Sequence, residues 1–170
     1  YSRTAALTKE LAAYLQSLGL KPGDRVAIMM PNLLQYVIAM YACLRAGYIV
    51  VNINPLYTSR EVNGTLRDSE AKAIIIIENF AKTLQNALPG TKCEHIITTA
   101  VGDLFPFFKR TLVNFVVRKV KKMVPEYSLP NAVSFNEALE IGRRHGFTAH
   151  EIHNTDIAFL QYTGGTTGVA

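Results

Sequence analysis

Residues 74–77 are four isoleucines in a row, preceded by Ala73. No other stretch constrains the fold as strongly. A strand with one wet face alternates apolar and polar residues, and this run has no polar position, so both of its faces must be covered. Its natural place is the middle of a parallel sheet with helices on both sides.

The surrounding chain supplies the neighbours. Residues 25–30 read as a short buried strand ended by Pro31-Asn32, residues 48–53 as a β-branched strand broken by Asn54-Pro55, and residues 95–99 as a further strand. Between them lie helical patterns at 4–18, 33–45, 59–69 and 79–88. Leu7, Leu11, Leu15 and Leu18 fall at spacings of four, four and three, which makes one apolar stripe. Gly19 and Gly47 stand where helices stop, Lys21-Pro22-Gly23-Asp24 is turn chemistry, and Ser59 is the expected N-cap of the third helix. Strand and helix thus alternate with short connections. The fold class predicted is α/β, a parallel sheet flanked by helices with right-handed crossovers. A chain of 170 residues suits one domain or one large subdomain.

After residue 100 the rhythm changes. Residues 105–124 read as one long helix that carries Lys109, Arg110, Arg118, Lys119, Lys121 and Lys122 and no acid. On a helical wheel Phe108, Leu112, Phe115, Val116, Val120, Met123 and Val124 share one arc, and Arg110, Arg118, Lys121 and Lys122 lie opposite. Three readings follow: a core-packed helix with a solvated basic face, an interfacial helix that docks on anionic lipid, or a contact for nucleic acid or a protein partner. Residues 134–144 read as a helix opened by a capping box, Ser134 with Glu137. Residues 157–161 read as the last strand.

Composition narrows the function classes. The net charge of +5 fits nucleic acid, anionic substrates or an anionic membrane as partners. No apolar run reaches the roughly 20 residues that a membrane-spanning helix needs. Cys43 and Cys93 are too few for a disulfide scaffold or a zinc site and read as reduced thiols. His145, His150 and His153 cluster with Glu151, but the order is not H-E-x-x-H, and no metal site is expected.

The chemistry is carried by the run after the last strand, Tyr162-Thr163-Gly164-Gly165-Thr166-Thr167-Gly168. Glycines and threonines in this density cannot pack a core. In open parallel sheets ligands bind at the carboxyl ends of strands. Glycines let backbone N–H groups approach a phosphate, and the threonine hydroxyls add donors. The order is neither G-x-x-x-x-G-K-[ST] nor G-x-G-x-x-G, which argues against a Walker loop and a dinucleotide site.

The run resembles the signature loop of the acyl-adenylate-forming (AMP-binding) enzymes, Tyr/Phe-Thr-Ser-Gly-Ser/Thr-Thr-Gly-x-Pro-Lys-Gly. Gly164 stands at that pattern's Ser and Ala170 at its Pro, and the closing Lys-Gly would follow Ala170. Lys21-Pro22-Gly23-Asp24-Arg25-Val26-Ala27 and Arg45-Ala46-Gly47 are similar to segments common to that family. Met29-Met30-Pro31-Asn32-Leu33-Leu34-Gln35-Tyr36, Asn52-Ile53-Asn54-Pro55-Leu56-Tyr57-Thr58, Val113-Asn114-Phe115-Val116-Val117 and Leu129-Pro130-Asn131-Ala132 resemble its bacterial long-chain fatty-acid–CoA ligase branch.

This resemblance implies the N-terminal subdomain of the adenylate-forming fold. Residues 1–170 would be a partial AMP-binding domain, truncated at both ends and ending within the phosphate-binding loop. It implies activation of a long-chain fatty acid through acyl-AMP, with ATP, Mg²⁺ and coenzyme A. Thr163, Gly164, Gly165, Thr166, Thr167 and Gly168 would contact the ATP phosphates, with catalytic residues mostly downstream, so the 170 residues alone are not expected to ligate. It further suggests a cytoplasmic enzyme touching the inner face of the cell membrane, with no nucleic-acid partner; a homodimer is compatible with it. The alternative is a non-catalytic basic module that binds lipid or nucleic acid, and the glycine–threonine loop, which such a module does not need, separates the two.

Overall fold

The computed structural model of the chain describes residues 1–162. The chain runs α1 (Ser2–Ser17), β1 (Arg25–Met29), α2 (Leu34–Arg45), β2 (Ile49–Asn52), α3 (Ser59–Ser69), β3 (Ala73–Ile77), α4 (Ala81–Ala87), β4 (His95–Thr99), α5 (Phe107–Phe115), β5 (Ala132–Ser134), α6 (Phe135–His145) and β6 (Phe159–Gln161). A 3-10 turn, Glu78–Phe80, precedes α4, and a π-helical turn, Val116–Val120, continues α5. The strands form one sheet in the order β5-β4-β3-β1-β2-β6, and every pairing is parallel.

The isoleucine strand sits where its sequence requires. Ile74, Ile75 and Ile76 are fully buried and Ile77 nearly so. Alternation splits them between two cores. Ile75 and Ile77 join Val26, Ile28 and Val50 against Leu11 and Leu15 of α1, Ile38 and Ala42 of α2, and Phe135 of α6. Ile74 and Ile76 join Ala27, Met29 and Val51 against Val62 and Leu66 of α3 and Leu84 of α4. Burying each isoleucine contributes about 2 kcal/mol.

Connection direction explains which helix covers which face. The β1→β2 and β5→β6 connections move toward the β6 edge, through α2 and α6. The β2→β3 and β3→β4 connections move toward the β5 edge, through α3 and α4. Crossovers of a single hand place the first pair on one face and the second on the other, as the two cores record. On the first face α1 and α6 touch closely at Gly142, where an added Cβ would lie 1.8 Å from the carbonyl oxygen of Glu10. Arg143 then reaches the Glu10 carboxylate with Nε at 2.8 Å and Nη2 at 3.2 Å.

Several expectations are corrected. The N-cap of α3 is Thr58, not Ser59. The Thr58 hydroxyl accepts from Glu61 N at 3.4 Å, while the Glu61 carboxylate accepts from Thr58 N at 2.7 Å. Strand β5 was not expected, and β6 starts at Phe159, leaving Ile157 exposed ahead of it. Ser134 does cap α6, accepting from Glu137 N at 3.3 Å.

The largest correction concerns residues 105–124. They do not form one long α-helix: α5 stops at Phe115, the π turn ends at Val120, and Lys122 adopts φ +49°. Nor is the apolar arc turned inward, since α5 buries no residue and Phe108 is 85% exposed. Phe107, Leu112, Phe115 and Val120 are exposed as well. Val113, Asn114 and Val117 lie on the half-buried side instead. The segment is held to the sheet by polar contacts, and most of its apolar arc faces out, with only Val116 and Val124 of the arc half-buried. This removes the core-packed reading.

Candidate functional site

The carboxyl ends of β1, β2 and β6 open on a cleft of about 410 Å³. Met30 after β1, the amides of Asn32, Asn52, Asn54 and Gln161, and the rings of Tyr36, Tyr57 and Tyr162 line it. No carboxylate and no cation lines it among the described residues. A neutral wall of amides and phenols offers hydrogen-bond donors without repelling phosphate charge.

The strand pattern dictates how these groups meet. Val50 and Val51 point to the first and second cores respectively, so Asn52 points back to the first face. There it stands in register with Ile28 of β1 and Gln161 of β6, under the first turn of α2. The hydroxyl of Tyr36 donates to Asn52 Oδ1 at 3.0 Å, and Asn52 Nδ2 donates to Gln161 Oε1 at 3.1 Å. On the opposite face Tyr162 packs against the second core, and its hydroxyl donates to Asp68 Oδ2 of α3 at 2.5 Å. Burial first, and then the Asp68 carboxylate, push the Tyr162 phenol up to about 12. It therefore stays a donor at neutral pH. The Asn54 side chain accepts from Leu56 N at 3.0 Å, an Asx turn that shapes the loop after β2.

Gln161 and Tyr162 are the last described residues before the glycine–threonine run. The expected phosphate contacts, Thr163, Gly164, Gly165, Thr166, Thr167 and Gly168, lie outside the described residues. Tyr36, Asn52 and Gln161 carried no role in the sequence reading. The signal available was a polar residue ending an otherwise buried strand, as Asn52 ends β2 and Gln161 ends β6.

A second polar cleft, of about 430 Å³, lies over β3, β4 and β5. Glu78, nearly fully buried at the end of β3, takes a two-nitrogen ion pair from Arg118. Asp103 accepts from Ala100 N at 2.7 Å, Thr99 Oγ1 at 3.0 Å and Asn114 Nδ2 at 3.1 Å. Hydrogen bonds to Glu78 push the Arg118 guanidinium further up, against its partial burial. These groups satisfy one another, so the network fastens the π turn and α5 to the sheet. Arg118, still half exposed, is thereby paired with Glu78 and differs from the other cations of the basic face expected from the wheel.

The histidines lie apart. His145 ends α6, His150 packs over Gly47, and His153 N donates to Asp156 Oδ2 at 2.8 Å. Among the described residues no group of three His, Cys, Asp or Glu is placed to hold a metal ion. Both cysteines are buried; burial pushes the Cys43 thiol far up and the Cys93 thiol up to about 12. Neither is a thiolate at neutral pH. Among the described residues no helix is long and apolar enough to cross a membrane.

A parallel doubly wound sheet with a cleft at its carboxyl edge defines an α/β ligand-binding domain, and comparison with known proteins makes the class specific. The model of the AMP-binding enzyme family matches residues 1–170. The chain is 57% identical to a long-chain-fatty-acid–CoA ligase of Haemophilus influenzae, over 96% of this chain and 29% of that protein. It is 39% identical to a long-chain-fatty-acid–CoA ligase of Bacillus subtilis, over 94% of this chain and 28% of that protein. A long-chain-fatty-acid-CoA ligase from Archaeoglobus fulgidus superposes with TM-score 0.72 at 27% identity, covering 98% of this chain and 28% of the other. An anthranilate CoA ligase in complex with anthranoyl-AMP shares the fold, with TM-score 0.70 at 23% identity, covering 97% of this chain and 27% of the other. The chain belongs to the AMP-binding enzyme family. It spans about 29% of the length of bacterial long-chain-fatty-acid–CoA ligases such as that of Haemophilus influenzae.

Proposed function

We propose that residues 1–170 are part of the AMP-binding domain of an enzyme that joins long-chain fatty acids to coenzyme A at the expense of ATP. In this reading the fatty-acid carboxylate attacks the α-phosphorus of ATP, pyrophosphate leaves, and an acyl-AMP forms. The thiol of coenzyme A then displaces AMP. The carboxylate is already a nucleophile, so the first step depends on positioning and on neutralising phosphate charge. Mg²⁺ bound with ATP would supply part of that neutralisation, and no described residue is assigned to hold it.

The observation that carries the reading is the order Tyr162–Thr163–Gly164–Gly165–Thr166–Thr167–Gly168, which follows a strand ending at the carboxyl edge of a parallel sheet. That edge opens on a cleft with no carboxylate in its described lining. Identity to the two bacterial ligases supports the long-chain fatty acid as substrate. The test is acyl-AMP formation by the complete enzyme, with oleate, ATP and Mg²⁺. Gly165→Val should lower it about a hundredfold or more, because a branched Cβ blocks close backbone approach to phosphate and misplaces several donors. Thr166→Ala, which removes one hydroxyl, should lose less. Acyl-AMP formation at the unmutated rate in Gly165→Val overturns the loop assignment.

A specific observation also supports a site of work. The exposed apolar residues Phe107, Phe108, Leu112, Phe115 and Val120 share their segment with Lys109, Lys119, Lys121 and Lys122, which are exposed too. Apolar residues beside cations match an anionic lipid surface. In this reading α5 and the π turn hold a cytoplasmic enzyme peripherally against the membrane in which its substrate dissolves.

A further inference from the structure

We infer that Asn52 is a positioning residue for the phosphate loop, acting with Tyr36 through Gln161. The inference rests on the loop reading above and names what holds the loop's root.

Strand β6 needs such support. It is three residues long and, among the described residues, pairs with β2 alone, with Phe159 and Gln161 exposed. A ladder this short fixes direction and register, but a few hydrogen bonds leave its end weakly held. Two side-chain ties close the gap, one on each face. Tyr162 is tied to Asp68 of α3, and Gln161 is tied through Asn52 of β2 to Tyr36 of α2.

The second tie has a property the first lacks. The Asn52 amide uses its oxygen toward Tyr36 and its nitrogen toward Gln161. The Asn52 amide, having an acceptor and a donor, can serve both neighbours at once, which neither a carboxylate nor an apolar side chain could do. It links α2, β2 and β6, so the position of the first core is passed to the residue that precedes Tyr162 and the loop. Asn52 need not touch nucleotide for this role.

The test uses the complete enzyme and reads the Michaelis constants for ATP and fatty acid separately, with the melting temperature beside them. Asn52→Leu should raise the KM for ATP about tenfold, the worth of two neutral hydrogen bonds. It should leave the KM for fatty acid within about twofold. Tyr36→Phe, which keeps the ring and deletes only the hydroxyl, should raise the ATP value about threefold to fivefold with an unchanged melting temperature. Because the groups form one relay, Asn52→Leu combined with Gln161→Leu should cost little more than Asn52→Leu alone. Gly165→Val serves as the control. If it abolishes adenylation while Asn52→Leu and Tyr36→Phe leave the ATP KM unchanged, the relay is overturned and the loop reading stands. If Gly165→Val adenylates normally, the loop reading falls and the relay with it. A parallel rise of both KM values with a lower melting temperature would make Asn52 a packing residue only and overturn the inference.

Discussion

Arg118 closes on the buried carboxylate of Glu78 with two nitrogens, Nε at 2.9 Å from both oxygens and Nη2 at 2.6 Å from Oε2. Glu78 is 4% exposed at its side chain and Arg118 50%. One member of the pair is thus inside the domain and the other forms its lid. Removing the lid leaves a buried charge without a partner, which costs more than the pair itself contributes. Arg118→Ala should destabilise the protein by about 2 kcal/mol, less than a fully buried pair because the guanidinium is half solvated. Adding Glu78→Gln to Arg118→Ala should recover most of the loss. Urea midpoints of the two single variants and the double variant measure the coupling, and strict additivity would rule it out.

The outward turn of α5 predicts a separation between stability and lipid binding. Phe108→Ser and Leu112→Ser together remove exposed rings and chains, so the unfolding midpoint should move by less than about 0.5 kcal/mol. Sedimentation with phosphatidylglycerol vesicles should fall severalfold. Lys121→Glu with Lys122→Glu should weaken the same binding, and salt should mimic it. Binding that survives all of these changes would separate the segment from the membrane.

Gly142 makes a prediction of the opposite kind. An added methyl would meet the Glu10 carbonyl at 1.8 Å and Tyr14 N at 2.9 Å, both backbone atoms in α1. Backbone cannot yield as a side-chain tip can, so α1 and α6 must move apart. Although alanine favours helix over glycine by about 1 kcal/mol, Gly142→Ala should lower stability by about 2–3 kcal/mol. An unchanged or raised melting temperature would show that the helices can slide.

Asp24 gives the acid dependence a sign. Burial pushes its carboxyl up, but the Lys21 amide at 2.8 Å and the Lys72 ammonium at 2.8 Å outweigh it, and the net direction is down. A carboxyl held lower in the folded state stabilises the fold above its unfolded value, near 3.8, and loses that contribution as pH falls through the folded value. Asp24→Asn should therefore cost about 1 kcal/mol at neutral pH. The difference from the unsubstituted protein should shrink below about pH 4. A gap constant from pH 7 to about pH 3, measured by urea unfolding, would remove Asp24 from the acid transition.

Local signals were the readable ones. Four isoleucines named the central strand, and β1 to β4 with the helices between them followed from apolar runs and stop residues. The cap of α3 was also readable, since Thr58 and Glu61 have the three-residue capping-box spacing that Ser59 lacks. Strand β5 is three residues with no alternation to detect. The side on which α5 packs depends on Glu78, which lies 40 residues before Arg118, and no wheel contains that partner. The relay at Asn52 was hidden for the same reason, because Gln161 is 109 residues away. Polar side chains at strand ends gain a role only from what the topology sets beside them.

That separation has a kinetic side. Among the described strands, helix α6 carries the chain from β5 at one end of the sheet order to β6 at the other, so β6 cannot dock until β2 has formed, and the β2–β6 pairing spans the longest sequence separation. A three-residue strand with two exposed positions is also weakly protected. The amides pairing β2 with β6 should exchange with deuterated solvent well before those of β1 and β3. On the proposed loop reading, ligand bound beyond Tyr162 should slow that exchange, which makes the ladder leading into the loop a gauge of occupancy.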